Sequence, residues 1–429
     1  MRILICAVGS YGDVYPFVGL GRSLRLRGHE VIFIANAQFR AAVEAEQLAF
    51  VPVGEAAAYR AAIGNPDLRD PRRGPKLVFE TVMRFVPQAY ETIAGLYRPG
   101  ETLLVGSTLA FLARIFQETH GAPLATVHLS PSIVRSTRDA ICLPFATVPE
   151  TVPRWIKAGV YRLIDRYLVD PLIAPDLNRY RASLGLPPVR RILHDWLHSP
   201  DLVIGFYPER FAPPRDDWPP QTRLVGFPLY DAAAHEAVPP AVEAFLEAGP
   251  PPALFAPGTA STAAGNFFDV SLAACEAAGL CALLVTRYPA QIPSPLPDWA
   301  FHAPYLPFSV VLPRVQAFVH HGGIGTLSQG LRAGVPQIIR PVAFDQQDNA
   351  DRARKLGAAE VIKVGDYVPA RVGAALRRVV TAERKEEHRD LSAGFASIDA
   401  LSKTAELVEA LGERDEGEAP CVSTLAVSS

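Results

Sequence analysis

Ala317-Phe318-Val319-His320-His321-Gly322-Gly323-Ile324-Gly325-Thr326, with Gly334-Val335-Pro336 and Asp345-Gln346-Gln347-Asp348-Asn349 downstream, is the stretch whose reading decides the fold. An apolar run ends in two histidines and passes through glycines into a helix expected to open at about Thr326. Such a turn aims backbone N–H groups and the positive end of a helix dipole at one point, which suits a diphosphate. The next strand, 336–340, leads to Asp345-Gln346, a pair able to read hydroxyls on whatever the diphosphate carries. Phosphate contact followed by hydroxyl readout points to a nucleotide-activated sugar. The same glycines can instead serve only as a tight turn that brings helix and sheet together. The paired histidines, Thr326 and the acid–amide pair favour the ligand, while the first strand carries no G-x-G-x-x-G dinucleotide fingerprint.

Working outward, 429 residues exceed what one core normally holds, so two domains are expected. Hydrophobic content of 49% with 20% charged residues describes a globular chain, and a net charge of −2 offers no footprint for nucleic acid. Five cysteines form no CxxC pair and read as reduced thiols rather than a disulfide frame or metal site. No run approaches the roughly 20 apolar residues of a membrane span. The segment Met1-Arg2-Ile3-Leu4-Ile5-Cys6-Ala7-Val8 enters a glycine turn directly and reads as a buried strand rather than a signal peptide. A cytoplasmic location follows, with association at the inner face of the membrane tied to the nature of the acceptor.

Short apolar runs alternate with helical patterns throughout, the signature of a parallel α/β chain. Strands are expected at 3–8, 31–35, 50–53, 103–106, 125–129 and 202–206, and again at 253–256, 282–286, 301–305, 318–321, 337–340 and 360–363. Between the two sets, residues 208–252 are so rich in proline that neither sheet nor helix is expected to continue there. The division that follows is an N-terminal acceptor domain (1–228), a proline-rich linker (229–250), a C-terminal nucleotide-sugar domain (251–395), a helix returning to the N-terminal domain (396–412) and a disordered tail (413–429). Residues 153–175 carry apolar side chains at helical spacing with arginines between them. A core-facing amphipathic helix is the first reading, and an acceptor lid or membrane-surface contact is the second.

These motifs together resemble the nucleotide-sugar-dependent glycosyltransferases of the two-domain GT-B type, family 1. The donor signature of that family is matched by His321-Gly322-Gly323-Ile324-Gly325-Thr326, Gly334-Val335-Pro336, Pro341, Asp345-Gln346 and Asn349-Ala350. Gly9-Ser10-Tyr11-Gly12-Asp13-Val14-Tyr15-Pro16-Phe17 and Arg27-Gly28-His29-Glu30-Val31 are similar to the opening of its bacterial and sterol branch. The resemblance runs from residue 1 to about 412. Within the family the chain is most similar to the rhamnosyltransferases of rhamnolipid synthesis, through Leu197-His198-Ser199-Pro200, Phe211-Ala212-Pro213-Pro214, Asp217-Trp218-Pro219 and Gly226-Phe227-Pro228-Leu229.

The resemblance implies two Rossmann-like domains with parallel sheets facing a cleft, and inverting transfer of a sugar to a hydroxyl. The rhamnolipid likeness implies L-rhamnose from dTDP-rhamnose and a lipid-like acceptor such as a hydroxyacyl-hydroxy fatty acid. The wider family also allows UDP-glucose with a sterol, polyketide or other small apolar acceptor. The rival readings are a nucleotide-sugar epimerase and a non-catalytic auxiliary subunit. No cofactor is expected beyond the dTDP- or UDP-linked co-substrate, and no Asp-x-Asp presents two carboxylates to a metal. The expected partners are the donor and an amphiphilic small molecule, with peripheral membrane contact in view, no nucleic acid, and oligomeric state left open.

Carried onto individual residues, the resemblance makes Asp13 the general base, with a helix cap as its alternative role. His321, Gly323, Gly325 and Thr326 would receive the diphosphate, while His320, pointing the opposite way, is assigned to the core. Asp345 and Gln346 would bind sugar hydroxyls, with Asp348 and Asn349 structural. Tyr305 would stack the nucleobase and the Leu306 backbone would pair with its edge, with Phe308 standing where relatives carry glutamine. Gly12 and Thr259 complete the donor set. For the acceptor the candidates are Phe79, Met83, His128 and Ile141, of which His128 is expected to face the cleft; His29 is read as structural.

Overall fold

The computed structural model describes residues 1–70, 73–143, 146–230, 237–258, 265–396 and 399–417. Its first half builds β1 (Arg2–Cys6), β2 (Glu30–Ala35), β3 (Ala49–Pro52), β4 (Thr102–Ser107), β5 (Leu124–His128), a small antiparallel pair β6 (Ile141–Cys142) and β7 (Thr147–Val148), then β8 (Leu202–Gly205) and β9 (Thr222–Leu224). Apart from that pair, these strands form one seven-stranded sheet in the order β3-β2-β1-β4-β5-β8-β9. Every neighbouring pair in it is parallel, with Ile3 beside both Val31 and Leu103.

The second half builds β10 (Ala253–Ala256), β11 (Ala282–Val285), β12 (Ala300–Ala303), β13 (Ala317–His320), β14 (Gln337–Ile339) and β15 (Ala359–Val361). They form a six-stranded parallel sheet ordered β12-β11-β10-β13-β14-β15. Helices cover both faces of such sheets, which is why the strands read as unbroken apolar runs rather than as alternating ones. Period-two alternation divides the first sheet's side chains. Ile3 and Ile5 pack with Val14, Phe17 and Leu20 on one face, and Leu4 and Cys6 pack with Val86, Ile93 and Phe116 on the other.

Strand order reverses beside β1 and β4 in the first sheet, and beside β10 and β13 in the second. Loops leaving the carboxyl ends of strands at such a switch point diverge to opposite faces and leave a crevice between them. The turn carrying Asp13 follows β1, and the turn carrying His321 follows β13. The two crevices therefore supply the candidate site.

The proline-rich stretch departs from expectation. Thr222–Leu224 extends the sheet, which is tolerable because it is an edge strand, and Pro240–Glu247 is helical, with Pro240 in the first turn, where no intrahelical amide is required. The helix after β13 begins at Ile324 rather than Thr326, which leaves Thr326 within its first turn. The C-terminal helix spans Ala400–Gly417, so 413–417, expected in a disordered tail, continue it; residues 418–429 lie outside the described set.

That last helix packs on the first half. Ala400, Ala405 and Val408 join the core under the helix Tyr11–Leu26, and Glu409 accepts from Arg27 Nε and Nη2 at 2.8 and 2.7 Å. His29 Nε2 lies 2.7 Å from the same carboxylate, giving this histidine a structural role. The Arg27 hydrogen bonds hold the Glu409 carboxyl down to about 2. Because that is below its ordinary value, the stabilisation is present at neutral pH and disappears as pH falls toward 2. Glu409→Ala should cost about 1 kcal/mol in urea unfolding at pH 7, and the gap from the parent should narrow in acid.

Candidate active site

Asp13 occupies the first turn of the helix Tyr11–Leu26. Its Oδ2 accepts from the Ser10 amide at 2.7 Å and the Ser10 hydroxyl at 2.8 Å. The carboxylate folds back over Gly9, whose φ is +138°; a Cβ there would stand 2.6 Å from Oδ2. Asp13 is therefore a capping residue, as its alternative role anticipated, yet the cap occupies only one oxygen. Oδ1 has no hydrogen-bond partner among the described residues. Burial raises the carboxyl above its ordinary value, opposed by the two Ser10 bonds. The result is a more basic carboxylate than a surface aspartate presents.

Across the cleft, the two histidines have different fates. His320 is fully buried; its Nδ1 accepts from the Gly322 amide at 3.0 Å, so Nε2 carries the proton and donates to Gln337 Oε1 at 2.8 Å. Both nitrogens are used, and burial pushes the ring down to about 3. His321 instead keeps an unpartnered buried Nδ1 among the described residues, and burial pushes it down to about 4. At neutral pH it is an uncharged ring with one donor to offer.

The glycines around His321 have a reason in packing. A Cβ on Gly258, two residues beyond β10, would stand 2.7 Å from the imidazole Cε1, and one on Gly323 would stand 2.5 Å from Nε2. The ring lies in the space those two glycines leave open. Gly325, by contrast, faces open space, and with Ile324 and Thr326 it forms the first turn of a ten-residue helix, where amides lack intrahelical partners.

Asp345 and Gln346 open the helix Gln346–Lys355. Gln346 Oε1 accepts from the Val342 and Ala343 amides at 2.8 and 3.1 Å, which fixes the loop and leaves the NH2 group outside these bonds. Asp345 Oδ2 accepts from Asn349 Nδ2 at 2.7 Å. Burial raises its carboxyl to about 6, with a smaller contribution from Asp13, so the two carboxylates sense each other across the cleft. Above that pH Asp345 is ionised and can accept from a sugar hydroxyl. Donor affinity should therefore decline as pH falls through about 6. Asp345→Asn should raise the donor KM about 10- to 100-fold and flatten that pH dependence in initial rates.

Asn349, read from sequence as structural, joins the lobes. It is fully buried, its Nδ2 also donates to the Gly322 carbonyl at 3.1 Å, and its Oδ1 accepts from Ser130 Oγ on the opposite lobe at 3.0 Å. Arg352 Nη2, one turn further on, donates to Asp139 at 3.0 Å, and Lys355 pairs with Glu150. One helix thus carries the contacts that hold the cleft together and has Asp345 at its N-cap.

Sequence reasoning missed two cleft residues. The Arg287 guanidinium, two residues beyond β11, lies 4.9 Å from the Tyr305 ring centroid and 5.2 Å from that of Tyr11, covering one face of the expected base-stacking ring. A basic residue at a strand's carboxyl end was the available signal. Phe344 is half exposed with φ of +57°, a strained backbone for a bulky residue, immediately before Asp345. Nothing in the sequence announces that conformation. Leu306 is buried, and Thr259 lies outside the described residues.

The acceptor candidates do not converge. Ile141 lines a cavity between the lobes together with Val134, Tyr161, Ile164, Asp348 and Arg352. Phe79 stacks on Phe111 within the helical layer, and Met83 is buried there. His128 does not face the cleft. It is fully buried, with Nδ1 3.1 Å from Thr108 Oγ1 and Nε2 3.0 Å from His198 Nδ1, because alternation along β5 turns it inward. Among the described residues no group of three or more His, Cys, Asp or Glu side chains is placed to hold a metal ion.

Two facing parallel α/β lobes, with a carboxylate at one switch point and a histidine–helix turn at the other, define a GT-B glycosyltransferase. Residues 3–138 match the glycosyltransferase family 28 N-terminal domain, and residues 285–411 match the erythromycin biosynthesis protein CIII-like C-terminal domain. The O-mycaminosyltylonolide 6-deoxyallosyltransferase of Streptomyces fradiae is 30% identical over 405 residues, covering 89% of this chain and 90% of that protein. The chain belongs to this family of GT-B glycosyltransferases and is a transferase enzyme. In fold it is similar to the glycotransferase of kitacinnamycin, with TM-score 0.74, 22% identity and coverage of 96% and 98%. It is likewise similar to the spinosyn rhamnosyltransferase SpnG complexed with thymidine diphosphate, with TM-score 0.67, 18% identity and coverage of 95% and 100%.

Proposed function

We propose that the enzyme transfers a 6-deoxyhexose, L-rhamnose in the first instance, from its dTDP conjugate to a hydroxyl of a lipid-like acceptor such as a hydroxyacyl-hydroxy fatty acid, with inversion at C1. The observation that carries the transfer is the pairing across one cleft of a singly capped carboxylate, Asp13, with the His321 ring and the first amides of the helix Ile324–Ala333. The thymidine diphosphate bound by the spinosyn rhamnosyltransferase and the deoxysugar in the name of the Streptomyces fradiae relative support the donor class. The lipid acceptor rests on the 197–200, 211–219 and 226–229 segments. The macrolide in the name of that same relative supports a polyketide acceptor as the second reading.

In the reaction, the acceptor oxygen attacks C1 from the face opposite the diphosphate. Its proton passes to Asp13 Oδ1, the C1–O bond to the β-phosphate breaks, and the displaced charge is received by His321 and the amides of Ile324, Gly325 and Thr326. Asp345 and the Gln346 NH2 group hold the sugar hydroxyls so that C1 stays in line. The test offers dTDP-rhamnose, other dTDP-sugars and UDP-glucose to the purified protein, with a hydroxyacyl fatty acid, a macrolide aglycone, or no acceptor. Acceptor-dependent release of dTDP with a rhamnosylated product by mass supports the reading. Isomerised donor without acceptor, or donor bound and unchanged with every acceptor, would overturn it.

A further inference from the structure

Eleven large apolar side chains are exposed among the described residues, and five of them fall within residues 155–168: Trp155, Ile156, Leu163, Tyr167 and Leu168. Trp155 is 78% exposed and Tyr167 64%. They lie on the helix Arg154–Ile164 and the wider turn Asp165–Val169 that continues it. Trp155, Ile156, Tyr167 and Leu168 thus depart from the expectation of a core-facing helix, while Tyr161 and Ile173 meet it. Only its other side is buried, through Lys157 and Tyr161, with Lys157 Nζ donating to the Asp139 and Glu150 carbonyls.

Ile156, Leu163 and Tyr167 recur seven and four residues apart along one side, and Trp155, Arg162 and Arg166 recur at the same spacing beside them. Arg162 and Arg166 are exposed and form no ion pair with any described residue; the Arg166 guanidinium lies 5.5 Å from the Tyr167 ring centroid. The segment's one acid before Asp170, Asp165, is buried against Arg135. The outward face is therefore aromatic, aliphatic and cationic, with no exposed carboxylate of its own.

We propose that this face docks on the surface of an anionic phospholipid bilayer. Tryptophan and tyrosine beside arginine suit the headgroup boundary, where rings enter the acyl edge and guanidinium groups meet phosphate. A second copy of the chain fits less well, since a two-fold contact through this stripe would bring Arg162 and Arg166 of both copies together without an acid between them. Among the described residues no helix is long and apolar enough to cross a membrane, so the contact is peripheral. The inner side of the same helix contributes Tyr161 and Ile164 to the interlobe cavity, so the docked face lies one helix thickness from it. The inference does not depend on which acceptor the enzyme uses.

The experiment is sedimentation of the full chain with phosphatidylcholine vesicles, with and without phosphatidylglycerol, at low and high salt. Binding to the anionic vesicles that weakens with salt is expected. The double variant Trp155→Ser, Leu163→Ser should bind about tenfold less or weaker still. Arg162→Glu with Arg166→Glu should lose the preference for phosphatidylglycerol. Both should keep the parent melting temperature and its turnover of a water-soluble acceptor. Absence of vesicle binding, or binding indifferent to both variants, would overturn the proposal. So would a dimer in light scattering that the serine variant dissociates while vesicle binding stays unchanged.

Discussion

Asp13→Asn should lower kcat by about 10²- to 10⁴-fold, the range over which a positioned base contributes, with donor affinity in calorimetry close to that of the parent. The substitution is informative because the fold should tolerate it. Asparagine keeps an oxygen to accept from the Ser10 amide and hydroxyl, so the cap on the helix Tyr11–Leu26 survives. The sign of the electrostatic change points the same way. Burial raises this carboxyl above its ordinary value, so its contribution favours the folded state in acid and is lost as pH rises through the folded value. At neutral pH an uncharged side chain relieves that cost, and the melting temperature should be equal or higher. Full turnover by this variant would remove Asp13 from the chemistry.

The second large effect is a contrast between neighbours. His321→Ala should reduce kcat by about 10²- to 10³-fold, as loss of one donor to a developing anion does elsewhere, with little change in stability. His320→Ala should act through the fold instead. It strands the Gly322 amide and the Gln337 carboxamide inside the protein, which costs about 2–4 kcal/mol of unfolding free energy. His321 is pushed down to about 4, so its own titration should leave the rate unchanged between pH 6 and 8. Measuring rate and denaturation midpoint for both variants separates the roles. A stable but inactive His320→Ala beside an active His321→Ala would invert the assignment.

Much of the site was legible because its chemistry sits on turns between strongly patterned elements. The strand ending at His320 and the glycine turn after it are adjacent in sequence, so local rules place His321 and Thr326 together. What was not legible depends on long-range packing. His128 was expected to face the cleft because it ends a strand, yet its direction is set by Thr108 and by His198, 70 residues away. Periodicity located the helix Arg154–Ile164, but no pattern within it says which stripe finds a partner. Arg287 reaches Tyr11 only through the juxtaposition of the two lobes. The prolines of 208–252 were read as barring regular structure, whereas an edge strand and a first helical turn both accommodate them.

The C-terminal helix has one further consequence. Since Ala400, Ala405 and Val408 complete the core beneath β1, the polypeptide sets out from and comes home to the same lobe. The second half is thus a guest, tethered by two crossings of the backbone instead of one. The host lobe, for its part, cannot be excised at residue 228 without baring the apolar surface its final helix covers.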